Sequence, residues 1–310
     1  MTAIVESLAP SKAPVDILRH RRLVDLAGND TEHSWLWAIN PAHGYVLTPD
    51  SFITALRLRL GVPVADYVGE RPCAECGAKL SARELGNHAL LCAKGKRTVG
   101  HNRIRDHFAA LARVCDPSTV IEASPSSAPF SAGVHQRRPA DILTSAAPLG
   151  GVGSVAVDIG ITSPHVAEAA RSPSHDPLDA YRTRKLAEYQ DMCKAAGWDY
   201  RPLTLSAYAR PHSDAVFIVH KLAVAASRAF GGSDAARTES AWWRNAATLL
   251  MERNARMVDC CLPTVDPPPI VSGVREAKWG EVPSRARRGA PVAAAALVSA
   301  GDGLRAPGGE

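Results

Sequence analysis

Aromatic side chains are scarce in this chain: Phe, Trp and Tyr make up 5% of 310 residues, although apolar residues as a class reach 46%. Alanine fills much of that apolar quota, which predicts a helix-rich core built from small contacts. Long hydrophobic runs are absent. No stretch approaches twenty uncharged apolar residues, so a membrane-spanning helix is excluded. The opening MTAIVESLAPSKAP has neither the basic start nor the apolar run of a secretory signal. A secreted, disulfide-built scaffold is therefore not expected, the chain reads as intracellular, and the Asn29-Asp30-Thr31 sequon reads as a chance match. Charge of one sign is in slight excess only: net +5, with 22% charged residues. This is the composition of an ordinary soluble chain, and it permits nucleic-acid binding without demanding it.

What is present is a set of seven cysteines: Cys73, Cys76, Cys92, Cys115, Cys193, Cys260 and Cys261. An odd, unevenly spread set without a signal reads as reduced thiols. Cys73-x2-Cys76 and His88-x3-Cys92 form two close ligand pairs. A CxxC turn sets two thiolates on one side of a metal, and a His and Cys four apart on a helical turn close the other side of a zinc tetrahedron. In a segment too small for its own core, metal binding supplies folding energy, roughly 10–16 kcal/mol in finger peptides. Four protein ligands make the expected Zn2+ site structural.

The chain divides by pattern. Residues 1–70 read as a small helical region: a loose end, a basic amphipathic stretch at 15–26, the Ser34-Trp35-Leu36-Trp37 segment, and a helix started by Thr48-Pro49-Asp50 and stopped by Gly61 and Pro63. The knuckle occupies 71–100. Residues 101–262 carry a helix at about 102–113 with Ile104, Phe108 and Leu111 buried, strands at 119–123, 139–143 and 154–162, and a long helix from Asp176-Pro177 to Gly197. A strand at 200–205 and helices near 216–230 and 239–258 complete that region. This order argues for a mixed α/β sheet flanked by helices. From 263 to 310, Pro, Gly, Ala and Arg dominate without periodicity, which reads as a disordered tail.

Two strands carry an acid in an apolar run: Asp141 in RPADIL and Asp158 in VAVDIGI, with Glu122 in VIEA repeating the pattern. A buried carboxylate must be paired, protonated or metal-bound. Three acids on neighbouring strands would make an all-oxygen site for Mg2+, with Lys185 on the next helix and Tyr181 and Tyr189 one turn away on its face. The other reading pairs each acid with Arg137, Arg138 or Arg184 at a strand end. Gly151-Val152-Gly153-Ser154-Val155-Ala156 precedes a strand instead of joining strand to helix, so it reads as a hairpin turn, not a dinucleotide fingerprint. Gly95-Lys96-Arg97 lacks the rest of a phosphate-binding loop.

Taken together, the segment Ala55–Pro63, the Cys73/Cys76/His88/Cys92 cluster, Gly100-His101-Asn102, Arg138–Ile142, Val157-Asp158-Ile159 and Arg184–Tyr189 resembles the C-terminal region of non-LTR retrotransposon proteins. In that family a CCHC zinc motif precedes a restriction-like PD-(D/E)xK endonuclease. The resemblance implies a restriction-endonuclease-like fold and makes Asp141 and Asp158 the Mg2+-binding acids. It makes Lys185 the catalytic lysine, with Tyr189 beside it and Glu122 as a weaker candidate. Gly160 stands where a strict D-x-K motif has lysine, so the lysine comes from the helix. No polymerase motif occurs, and the chain reads as the tail end, a truncated product or a domesticated fragment of such an element. The resemblance also implies DNA as partner, the element's RNA as a second one, no membrane, and a nuclear location. The function expected is a Mg2+-dependent DNA endonuclease that nicks and leaves a 3′-hydroxyl. The alternative is a catalytically inactive, zinc-containing nucleic-acid-binding module gripping phosphate through Lys94, Lys96, Arg97, Arg103 and Arg105. A third reading is a structural zinc protein that contacts other proteins through its tail.

Overall fold

The computed structural model describes residues 21–27, 30–39, 41, 45–92, 97–123, 139–166, 176–232 and 234–263. Lys94, Lys96, Arg137, Arg138 and the tail from 264 onward lie outside the described residues, as does the side chain of Arg97.

A 3-10 helix, Asp30–Trp37, leads to α1, Pro49–Leu60. Thr48 caps α1 by accepting from the Ser51 N–H, and Gly61 ends it in the left-handed region at φ 69°. A two-stranded hairpin follows, β1 (Glu70–Pro72) and β2 (Lys79–Ser81), then α2 (Ala82–Leu91). Ser81 and Glu84 form a reciprocal capping box at the start of α2. Next come α3 (Arg97–Cys115), β3 (Val120–Ala123), β4 (Ala140–Ser145) and β5 (Ser154–Thr162). The chain continues through α4 (Pro177–Ala195), β6 (Trp198–Ser206), α5 (Ser213–Ala229) and α6 (Ala235–Cys261). The glycine-rich Gly151–Gly153 stretch lies in the turn that joins antiparallel β4 and β5, as its position before a strand predicted.

The main sheet has the order β3-β4-β5-β6, antiparallel for the first two pairs and parallel for β5-β6. Helix α4 makes the crossover that a parallel pair needs. The sheet is mixed and sandwiched between helices. On one face Val155, Val157 and Ile159 meet Ile104, Phe108 and Leu111 of α3, Ile218 and Leu222 of α5, and Trp242 and Leu249 of α6. Trp35 and Ala55 belong to the same cluster, so the front region shares the core of the sheet. On the other face Ala140, Ala156 and Tyr200 pack against Cys193, Leu186 and Tyr189 of α4. No helix among the described residues is long and apolar enough to cross a membrane.

Two breaks interrupt the ladder. The β3-β4 register pairs Ile121 with Ile142 and Ala123 with Ala140, but skips the step between Glu122 and Asp141. Glu122 takes φ 55° there, a left-handed conformation rare for a residue with a side chain. The β4-β5 register stops at Ile142↔Val157, although β4 begins at Ala140 and β5 runs on to Thr162. The sheet therefore opens around Asp141.

Candidate active site and metal cluster

A strand residue points its N–H and C=O toward the same neighbour, and both must find partners when buried. Beyond the opened ladder, Ile159 turns these groups toward β4 and finds no backbone there. The Asp141 carboxylate accepts the Ile159 N–H at 2.7 Å, and His101 Nε2 of α3 donates to the Ile159 carbonyl at 2.9 Å. His101 Nε2 also lies 3.3 Å from Asp141 Oδ2. Burial lowers the His101 pKa, but the Asp141 carboxylate outweighs it and holds the ring above the ordinary histidine value.

Asp158 projects from β5 toward α4 and is 5% exposed. Lys185 Nζ reaches its Oδ2 at 3.0 Å, and the Tyr200 hydroxyl donates to the same oxygen at 3.2 Å. Burial pushes the Asp158 pKa up. Lys185 opposes that rise, and the nearby Asp141 adds to it. Burial works against the Lys185 ammonium as well, but Asp158 outweighs it and raises the lysine above its usual value. Lys185 is flanked by the rings of Tyr189 at 4.9 Å and Tyr181 at 5.7 Å. Gly160 explains why no lysine follows Asp158 in the strand: a Cβ there would stand 2.2 Å from the Tyr181 ring. Helix α4 is fixed at its start by Asp176, which caps Leu178 and holds Arg210 in a two-oxygen ion pair.

Asp141, Asp158, Lys185 and Tyr181 line one open cleft of about 380 Å3, together with His101, Thr98, Ile159, Ile161 and Arg253. Arg253 arrives from α6 and is 7% exposed. Gly100 lets it approach α3, since a Cβ there would meet Arg253 Cγ at 2.4 Å. Arg253 and Tyr200 carry no signal in the sequence, and His101 stands out there only as part of the Gly100-His101-Asn102 segment.

Glu122 departs from its expected place among the acids. It is exposed on the edge strand, ion-paired with Arg105, and does not line the cleft. Arg105 is itself buried, with a second pairing to Asp106 at 2.8 Å, and Arg103 is bound to Glu252 at 2.6 Å. Two of the three arginines expected to grip phosphate, Arg103 and Arg105, are thus ion-paired within the fold.

At the knuckle, the ligand atoms of Cys73, His88, Cys92 and Cys261 lie within 4.8 Å of one another. Three thiols and an imidazole are the donor set that suits zinc, so this Cys3His cluster can hold such a metal. Among the described residues no other group of three or more His, Cys, Asp or Glu has ligand atoms gathered this closely, and the cleft acids do not form one. Cys76, expected as a ligand, is exposed with its Sγ 3.3 Å from His88 Nε2. Cys261, in the last turn of α6, was not anticipated. Burial raises the Cys73 thiol, but the Cys76 and Glu75 N–H groups, with His88 and Cys261, pull it down to about 6.

No protein-family model matches the chain, and no curated protein or solved structure is significantly similar to it.

Proposed function

We propose that the chain is a Mg2+-dependent DNA endonuclease with a restriction-endonuclease-like core, related to the C-terminal region of non-LTR retrotransposon proteins. The observation that carries this reading is that Asp141 and Asp158, on neighbouring strands, and Lys185, from the helix after them, line one solvent-open cleft. The order α3-β3-β4-β5-α4-β6, with its mixed sheet, supports the same reading. Carboxylate and carbonyl oxygens of Asp141, Asp158 and Ile159 are the hard donors that Mg2+ takes.

Bound there, the ion would supply an activated water and neutralise charge on the phosphate. The protein's own groups do the rest. Asp141 and Asp158 fix the negative charge that holds the cation, and Lys185 meets the charge that develops on the non-bridging oxygens. Tyr181 and Tyr189 flank the ammonium and restrict its direction. Arg253 adds a positive wall that draws a phosphodiester into the cleft. Water adds to phosphorus, the P–O3′ bond breaks, and a proton passes to the departing oxygen, leaving a 3′-hydroxyl and a 5′-phosphate. The zinc cluster lies apart from this chemistry and supports the front of the fold. The basic link at Lys94, Lys96 and Arg97 remains the proposed sequence-blind contact to phosphate.

The test is nicking of supercoiled plasmid. Wild-type protein should nick with Mg2+ and not with EDTA, and Asp158→Asn should abolish nicking while DNA binding persists. Wild-type nicking rates in Asp158→Asn would sink the assignment. DNA binding without any nicking by wild type would leave the binding-module reading.

A further inference from the structure

We propose that His101 is a built-in occupant of the cation position in this cleft, which a divalent ion must displace before the site can work. The inference rests on the reading of the cleft as a divalent-ion site and adds to it a device that sets the site's affinity.

The argument begins with the open ladder. Past Val157 the strand β5 has lost β4 as a partner, so the Ile159 carbonyl and the Asp141 carboxylate, which already accepts the Ile159 N–H, face a common space. Both are hard oxygen acceptors, and a cation bridging them would neutralise one charge and one dipole. The structure gives that bridging place to His101: one Nε2–H points at two acceptors, 2.9 Å from Ile159 O and 3.3 Å from Asp141 Oδ2. Across the cleft Asp158 is held likewise by Lys185 and Tyr200. Each acid is thus occupied by donors of the chain itself, which explains how two carboxylates can share a cleft before any ion arrives.

His101 also has an exit. Its side chain is 30% exposed and lines a cleft of about 380 Å3, so a rotamer change on α3 moves the ring into open space. Departure is favoured over ligation because the Mg2+ of the proposed reaction selects carboxylate, carbonyl and water oxygens over imidazole. Metal entry and the His101 contact therefore exclude each other.

The sign of one measurement separates an occupant from a supporting residue. Mn2+ is titrated into the full, zinc-loaded chain without DNA, and free Mn2+ is followed by its electron paramagnetic resonance signal. His101→Ala and His101→Asn remove the bridging N–H by different routes, so at least one folded variant is to hand. Each should lower the Mn2+ Kd by about tenfold, the scale on which one charge-assisted hydrogen bond stops competing. Asp141→Asn should raise the Kd by at least about tenfold, the same scale. In the wild-type chain, added Mg2+ should shift the His101 ring resonances in an NMR spectrum. Equal or weaker Mn2+ binding by the His101 variants, with Asp141→Asn still impaired, overturns the occupant role and leaves the ion site standing. Unmoved His101 resonances at saturating Mg2+ overturn it in the same way. Mn2+ binding that ignores Asp141→Asn, or is absent throughout, overturns both.

Discussion

Two four-donor sets overlap at the knuckle, and their overlap predicts how the metal site fails. Cys73, His88 and Cys92 belong to both, while Cys76 and Cys261 compete for the fourth position. The perturbation is Cys→Ser at each of these four cysteines singly, and at Cys76 and Cys261 together. A tetrahedral zinc with Zn–S near 2.3 Å sets its ligand atoms about 3.8 Å apart. The 4.8 Å spread of the Cys261 set therefore has only about 1 Å to close around an ion. Cys76, 3.3 Å from His88 Nε2, is already in range. Shared over four ligands, a finger-scale binding free energy of roughly 10–16 kcal/mol gives about 3 kcal/mol per ligand, or about 10²-fold in affinity. Cys73→Ser and Cys92→Ser should each weaken zinc by about that factor. Cys76→Ser and Cys261→Ser should each cost less than about tenfold, since the other thiol takes over, and the double variant should fall to the level of Cys73→Ser. Competition against a chromophoric chelator, with zinc stoichiometry measured on the full chain, reads all five variants. If Cys76→Ser or Cys261→Ser alone loses metal as completely as Cys73→Ser, the four-ligand set is fixed and the overlap argument is wrong.

Three further outcomes follow from other parts of the fold. Gly160→Ala drives a Cβ into the Tyr181 ring at 2.2 Å and should cost about 1–3 kcal/mol of stability, the range for overpacking; an unchanged denaturation midpoint would mean that the ring moves aside freely. Burial pushes His107 down to about 4 and, with Arg22 and Arg21 adding, His165 down to about 3. Their folded values lie below the unfolded value of about 6.5, so the unfolded chain binds more protons, and stability should fall as pH drops from about 6.5 toward 4. Denaturation series at pH 7.5, 6 and 5 check the slope, and a flat profile contradicts it. Arg105→Ala removes the ion-pair partner of the exposed Asp106 and Glu122 and should cost about 0–1 kcal/mol while leaving the salt dependence of DNA binding unchanged. A log–log slope shallower by about one unit would instead make Arg105 a phosphate contact.

Local signals were the ones legible in the sequence. Thr48-Pro49 and Gly61 bound α1, Asp176-Pro177 opens α4, and β5 occupies the same residues, 154–162, that its apolar run predicts. Where the first turn of a helix carries no stripe of large apolar residues, the pattern begins late: α3 starts at Arg97 instead of 102, and α6 at Ala235 instead of 239. Lys185 was found through resemblance and its helical position. Arg253, Tyr200 and Cys261 were not, because each reaches its site from an element far along the chain and leaves no spacing to read. Glu122 misled for a related reason. An acid in an apolar run looks the same whether the strand is regular or, as here, twisted to φ 55° so that the ladder skips its step.

The opened ladder links stability to the proposed chemistry. Had β4 and β5 stayed paired, the Ile159 peptide would be satisfied by backbone, and neither Asp141 nor His101 would be required beside it. Because the strands part, buried polar groups at this end depend on side chains, and those side chains face a cleft open to solvent. An Asp141→Ala change would strip the Ile159 N–H of its acceptor, and an orphaned buried donor costs about 1–3 kcal/mol. Asp141→Asn keeps an acceptor oxygen and removes only the charge. The Asn form is therefore the one whose loss of metal binding or nicking reports on charge. The Ala form mixes that loss with a loosening of the sheet edge on which both acids stand.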